Sequence, residues 1–411
     1  MPFKSLGLSK SLLKAISEKR YHTPTPIQIS TIPLILSKKD VIATAQTGTG
    51  KTAAFALPVL EQLITAQDSS KKGKKIKALI ISPTRELAIQ IKDSCGDYGK
   101  YTNLRTTVVF GGTSMDPQKD ILKKGVDILV ATPGRLLDLH KQDVINLDYI
   151  ETLVLDEADL MLDMGFIDDV KKIERLCPKD KQILLFSATM PYKVEQLANT
   201  ILKTPTKVEA SPNSTAATGV QQWMYFTPKP KKIELCLHLL RNTIKGNILI
   251  FRRTKFGVDK LEKTLLNNNY NVDSIHGDKS QSARQTALNR FKNKEVNILI
   301  ATDVAARGID IDNLDAVINF DMPNVAETYV HRIGRTGRAG KTGISYAFCS
   351  ADEKSYVLEI QKLIHTVIPV EENHPYPLDP KAKPEVHKKK GSKYRKGRKS
   401  EASKKNKKRW Y

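Results

Sequence analysis

DVIATAQTGTGKTAAFALPVL, residues 40–60, decides how the chain folds. DVIATA (40–45) is a short apolar run of strand length, AQTGTGKT (45–52) is a turn of small residues and glycines, and the pattern beyond it is helical. Such a strand–loop–helix lets backbone N–H groups curl around phosphate oxygens. Lys51 can then reach the β- and γ-phosphates, and Thr52 can hold Mg²⁺. Ala45 stands where the GxxxxGK[ST] pattern usually has its first glycine. The predicted phosphate cradle is Ala45, Gln46, Thr47, Gly48, Thr49, Gly50, Lys51 and Thr52.

Outward from this segment, buried-strand runs alternate with helical patterns: KALIISP (77–83), TTVVFGG (106–112), DILVATP (127–133), TLVLDEAD (152–159) and QILLFSAT (182–189). Continuous apolar strands between helices predict an α/β fold with a doubly wound parallel sheet. TPTKVEASPNSTAATGVQQ (204–222) lapses into Pro, Ser, Thr, Asn and Gly and reads as a linker. A second series resumes with VQQWMYFTP (220–228), NILIFRRT (247–254), YNVDSIHGD (270–278), VNILIATDVAARG (296–308) and DAVINFDMP (315–323). The apolar pattern ends near Pro369. The expected organisation is a first domain over 1–210, a linker over 211–219, a second domain over 220–370 and a disordered basic tail over 371–411.

The 411 residues carry 67 Lys+Arg against 44 Asp+Glu, a net charge of +23, which suggests a polyanionic partner. Residues 381–411 hold much of it, with Tyr394, Trp410 and Tyr411 among the lysines, and favour nucleic-acid contact. KKGKKIK (71–77) reads as a basic surface loop with no assigned function. No run is long and apolar enough to suggest a transmembrane helix, and the first 20 residues do not read as a secretory signal. The cysteines (Cys95, Cys177, Cys236, Cys349) lie far apart, so separate reduced thiols are expected, not disulfides or structural zinc.

DEAD (156–159) follows a buried strand, so its acids fall at the sheet edge where the phosphate loop opens. There Asp156 can hold the Mg²⁺ shell and Glu157 can orient and deprotonate an attacking water. In HRIGRTGR (331–338), Arg335 and Arg338 are three positions apart and would share a helix face. Two guanidiniums there could clamp a γ-phosphate, one as an arginine finger, or could contact nucleic-acid backbone. The phosphate loop on the other lobe favours the finger, which requires the lobes to close.

PTPIQ (24–28), AQTGTGKT, PTRELA (83–88), Gly111–Gly112, TPGR (132–135), DEAD, SAT (187–189), IFRRT (250–254), HGD (276–278), ATDVAARGID (301–310) and HRIGRTGR occur in one order over about residues 3–365. This set resembles the DEAD-box ATP-dependent RNA helicases of superfamily 2, of the compact bacterial kind with a short basic tail. The resemblance implies two tandem RecA-like domains and an ATP-hydrolysing enzyme. It implies that Gln28 reads adenine, that Tyr21 stacks on it and that Phe3 supports the segment, with Arg20 where the family commonly has Gly. It further implies that Ser187 and Thr189 reach Asp159 to couple ATP state to RNA, that Asp310 contacts the ribose and that His331 bridges the lobes. The implied RNA path is Pro83, Thr84, Arg85, Gly112, Thr132, Gly134 and Arg135 on the first lobe, and Thr254, Gly277, Gln281, Arg284 and Thr302 on the second. These are backbone-contacting residue types, so RNA would be held without sequence preference.

ATP and RNA would together draw the lobes shut, deliver Arg335 and Arg338, and open a few base pairs by bending one strand. Two rival readings share the motifs: an ATP-gated RNA clamp that unwinds little, and a DNA-acting superfamily 2 helicase. A cytoplasmic protein working on ribosomal or mRNA-decay ribonucleoprotein suits the pattern, including ribosome assembly. No oligomer is implied.

Overall fold

Buried aliphatic strands assemble into two parallel sheets. The computed structural model describes residues 2–46, 48–67, 75–209, 219–306, 311, 314–337 and 342–382. The first lobe contains β1 (Val41–Thr44), β2 (Ala78–Ile81), β3 (Thr106–Val109), β4 (Ile128–Ala131), β5 (Thr152–Leu155), β6 (Gln182–Ser187) and β7 (Thr206–Glu209). They pair in parallel in the order β3-β4-β2-β5-β6-β1-β7. Every residue of β2, β4 and β5 is buried, because helices cover both sheet faces. Ile80, Val130 and Phe186 pack on one side against Ile27, Phe55 and Leu57, while Leu79, Leu129 and Leu185 pack on the other against Leu136, Val170 and Leu197.

The second lobe contains β8 (Val220–Phe226), β9 (Ile248–Arg252), β10 (Val272–Ile275), β11 (Ile298–Thr302), β12 (Ala316–Asn319) and β13 (Gly343–Cys349), in the order β10-β11-β9-β12-β13-β8 and again parallel. All four cysteines are buried and unpaired. No helix among the described residues is long and apolar enough to cross a membrane.

Three details differ from the sequence reading. β7 lies inside the stretch read as a linker. As an edge strand it buries mainly Val208 and shows polar side chains outward, so it has no apolar run to detect. β13 was not anticipated. Residues 371–382, expected to begin a disordered arm, instead lie along β8: Glu371 N donates to Met224 O (2.9 Å), Leu378 N donates to Phe226 O (2.9 Å), and His374 meets the Tyr225 ring at 5.5 Å. The unpaired edge of β8 supplies the backbone partners that composition alone does not reveal. The rest of the tail (383–411) and the linker residues 211–218 fall outside the described residues.

A buried ionic cluster locks the second lobe. Lys232 Nζ donates to Glu353 Oε2 (2.6 Å), Phe320 O (2.9 Å) and Phe348 O (3.0 Å). Glu353 also accepts from Arg253 Nη2 (2.9 Å) and Met322 N (3.2 Å). Removing the acid alone leaves the buried cation with only the more distant acid Asp321, 4.0 Å away. Glu353→Ala should therefore destabilise this lobe by about 3–5 kcal/mol, read as an earlier urea transition in Trp223 fluorescence.

Candidate active site

A cavity of about 530 Å³ opens at the carboxyl edge of the first sheet, where the loops after β1 and β5 emerge. Gly48 and Gly50 adopt left-handed backbone (φ 81° and 90°), which lets the loop double back before the helix Lys51–Gln67. A Cβ on Gly50 would come within 2.4 Å of Gln28 Nε2. Lys51 is 6 % exposed, and its Nζ donates to Glu157 Oε1 at 2.8 Å. Burial works to lower the lysine pKa, but Glu157, Asp156 and Asp159 outweigh it and hold the pKa above its ordinary value. Asp156 is pushed up to about 7 by burial and then by Glu157, against the opposing pull of Lys51. Glu157 itself has left-handed backbone (φ 55°, ψ 56°), uncommon for a residue with a Cβ, and sits between β5 and the helix Ala158–Asp163.

At the other end of the cavity, Gln28 is buried in a capping box. Its Oε1 accepts from Thr25 N (3.0 Å) and its Nε2 donates to Gly50 O (3.2 Å), so one amide links the helix Pro26–Leu36 to the phosphate loop. Tyr21 lines the cavity, half exposed, with its ring 6.4 Å from that of Tyr98. Arg20 has φ 58°, the conformation a glycine adopts freely, so the turn is kept despite the arginine. Phe3 is buried and also lines this end.

Asp159 joins the DEAD and SAT segments. Its Oδ2 accepts from both Thr189 N and Thr189 Oγ1 at 2.9 Å. Ser187 differs from the expectation: its Oγ accepts from Asp159 N (3.1 Å) and donates to Thr189 O (2.6 Å), so it reaches the backbone of Asp159 and not the carboxylate.

From the second lobe, Arg335 lines the same cavity as Lys51, Asp156 and Glu157. It does not lie on a helix. The helix Ala326–Ile333 ends at Gly334, and Gly337 turns the chain further (φ 68°), so Arg335 stands beyond the helix on which the spacing had placed it. Thr47, Asp310 and Arg338 fall outside the described residues. His331 lines a crevice with Asp303, Arg332 and Arg335. Arg332, missed in the sequence reading, anchors this segment: it is buried and forks onto Asp303 (2.5 and 2.8 Å) and Asn319 (3.0 Å).

The residues read as an RNA path fall at the carboxyl edges of both sheets. Thr84 and Thr254 cap their helices, accepting from Leu87 N (3.3 Å) and Gly257 N (3.1 Å). Pro83 is buried at the end of β2, Thr132 precedes the helix Pro133–Lys141, and Thr302 ends β11. Gly134 and Gly277 have open space where a Cβ would stand, whereas Gly112 lies under the Arg85 guanidinium. Arg85 has its pKa lowered by burial and then by Arg284. Arg135 Nη2 donates to Thr113 O (2.8 Å), while Arg135 Nη1 and Arg284 Nε are buried without a hydrogen-bond partner. Glu86, also missed, joins the lobes: its Oε1 accepts from Gln281 Nε2 (3.0 Å) and meets Arg284 Nη2 (3.0 Å), and Gln281 Oε1 accepts from Arg85 (3.3 Å).

A phosphate loop, an acidic strand end and an opposed arginine define a two-lobed nucleotide-dependent helicase core. Family models agree: "DEAD/DEAH box helicase" matches residues 25–197 and "Helicase conserved C-terminal domain" matches 231–340. The chain is 46% identical over 363 residues to the ATP-dependent RNA helicase CshA of Limosilactobacillus reuteri, covering 88% of this chain and 72% of CshA. S. cerevisiae Dbp5 bound to RNA and ADP BeF3 superposes with a TM-score of 0.79 at 32% identity, covering 90% of this chain and 94% of that one. A DEAD box protein from the hyperthermophile Methanococcus jannaschii is 40% identical with a TM-score of 0.52, covering 90% and 99%. The protein belongs to the DEAD-box ATP-dependent RNA helicase family, with the RecA-like fold of that family.

The raised pKa of Asp156 sets a pH dependence. The unfolded acid ionises from pH 3.8 upward while the folded one keeps its proton to about 7, so this group lowers stability as pH rises through that window. Nucleotide-free Asp156→Asn should melt higher than wild type at pH 8, with the difference shrinking toward pH 4. Thermal melts across that range test it.

Proposed function

We propose that this enzyme hydrolyses ATP in response to RNA and couples closure of its lobes to local, non-processive opening of RNA duplexes or remodelling of ribonucleoprotein. The observation that carries the proposal is Arg335, from the second lobe, lining one cavity with Lys51, Asp156 and Glu157 of the first. The inter-lobe contacts of Glu86 accompany it. The overlay with Dbp5 bound to RNA and ADP BeF3, at a TM-score of 0.79 over 90% of this chain, supports the RNA reading.

In this reading Gln28, with Tyr21, selects adenine, Asp310 holds the ribose, and residues 45–52 cradle the phosphates. The donor set fits Mg²⁺: a hydroxyl at Thr52 and a buried carboxylate at Asp156 are hard oxygen ligands, in surroundings with three acids and one lysine. The ion, when bound, neutralises charge on the phosphate oxygens. Lys51 leaves Glu157 for the phosphates, which frees that carboxylate to orient water and take its proton. Arg335 and Arg338 stabilise charge on the transferring phosphoryl group, and His331 bridges the two lobes. Asp159, through Thr189 and Ser187, ties the acidic turn to β6 and so to the lobe edge. RNA lies on the helix starts and arginines named above, held by phosphate and sugar. We divide the chain as 1–210, 211–219, 220–370 and a basic tail, and assign it to ribosomal or mRNA-decay ribonucleoprotein in the cytoplasm.

Steady-state ATPase without nucleic acid, with single-stranded RNA and with DNA of the same sequence tests this function. RNA alone should stimulate wild type, and Arg335→Ala and Glu157→Gln should each lose about 10³-fold or more of the stimulated rate. Equal stimulation by DNA would contradict the RNA assignment. Stimulation without strand displacement on a short duplex would make the protein a clamp.

A further inference from the structure

Phe256 is the one exposed phenylalanine of the 11 in the chain, with 74 % of its surface accessible. A lone exposed apolar side chain needs no explanation by itself. Its position does call for one. Thr254 caps the helix Lys255–Leu266, so Phe256 stands in the first turn, two residues beyond a hydroxyl on the proposed RNA path. Lys255 pairs with Asp278 at 2.5 Å and lies 5.2 Å from the Phe256 ring centroid, which ties this turn to the His276–Asp278 loop and its open Gly277. β9 and β11 are in register at Arg252 and Thr302, so the chain leaving β11 emerges at the same edge, where Val304 is also exposed. A flat apolar face thus stands among phosphate-contacting residue types, beside a lysine.

We infer that Phe256 is a base-stacking subsite: its ring takes the face of one nucleobase of the bound RNA strand, while Thr254, Gly277 and Thr302 hold the backbone. Every base has a π-face, so the contact adds affinity and fixes register without reading sequence. Lys255, held by Asp278, lies beside the ring and keeps it in place on this turn. None of the surrounding ladder or core depends on this side chain, so its removal leaves the lobe intact. The inference rests on the RNA path proposed above.

The experiment is RNA binding by the full-length protein with a non-hydrolysable ATP analogue, read by fluorescence anisotropy. It compares an intact single-stranded RNA with a series carrying one abasic nucleotide at each position in turn. F256A should bind intact RNA about tenfold more weakly, with an unchanged melting temperature, and F256W should keep the affinity and show fluorescence quenching on binding. At one abasic position wild type should weaken to the level of F256A, and the two proteins should there bind equally. No loss in F256A, or the same loss on every abasic RNA, would overturn the stacking subsite while leaving the RNA path standing. Failure of wild type to bind intact RNA would overturn the path and the subsite together.

Discussion

A parallel sheet buried on both faces imposes the constraint from which the rest of this structure follows. Its strands are too apolar and too enclosed to carry chemistry, yet all of them run the same way. Each therefore delivers the next loop to one common edge. In the first lobe the neighbouring strands β5, β6 and β1 release the DEAD turn, the SAT turn and the phosphate loop side by side. In the second, β10, β11 and β9 release Gly277, Thr302 and Thr254 in the same manner. Helices starting from these turns direct their unsatisfied N–H groups toward the same edge, so a polyanion meets donors wherever it lies along it.

Charge then decides how the edges work together. The first lobe gathers Asp156, Glu157 and Asp159 around a single buried lysine, and the surplus of acid shows in the raised pKa of Asp156. Nucleotide phosphates alone would worsen that balance. Arg335 of the second lobe lines the same cavity, and in the proposed function it and a bound Mg²⁺ would offset that surplus. The forks of Arg332 on Asp303 and the Lys232–Glu353 cluster add little net stability for their desolvation cost. They fix where the loops bearing Arg335 and Thr254 stand, and position is what a finger or a backbone contact requires.

Much of this was legible in the sequence because buried strands and glycine turns have strong local signatures. DVIATAQTGTGKT needs no partner to be read as strand, loop and helix. Features made by tertiary partners were not legible. β7 is a polar tetrapeptide that becomes a strand only because β1 offers an open edge. Residues 371–382 look like tail until Met224 and Phe226 take up their backbone groups. Glu86 directly follows Arg85, which was singled out in PTRELA, yet nothing local reveals that its partners are Gln281 and Arg284, almost 200 positions away. Arg335 is off the helix for a readable reason: Gly334 caps the helix just before it and Gly337 turns the chain just after it.

The capping threonines show how the fold and the proposed RNA path share one chemical group. Thr84 Oγ1 and Thr254 Oγ1 each accept a backbone N–H in the first turn of a helix. Accepting there uses a lone pair and leaves the hydroxyl proton to donate outward. On the proposed RNA path, the outward partner would be a phosphate oxygen. The cap orients the hydroxyl before RNA arrives, so little rotamer entropy remains to be lost on binding. Since phosphate oxygens are identical at every nucleotide, such pre-set donors hold any sequence equally well. Whatever selectivity the enzyme has for particular RNAs must therefore come from elsewhere on the chain.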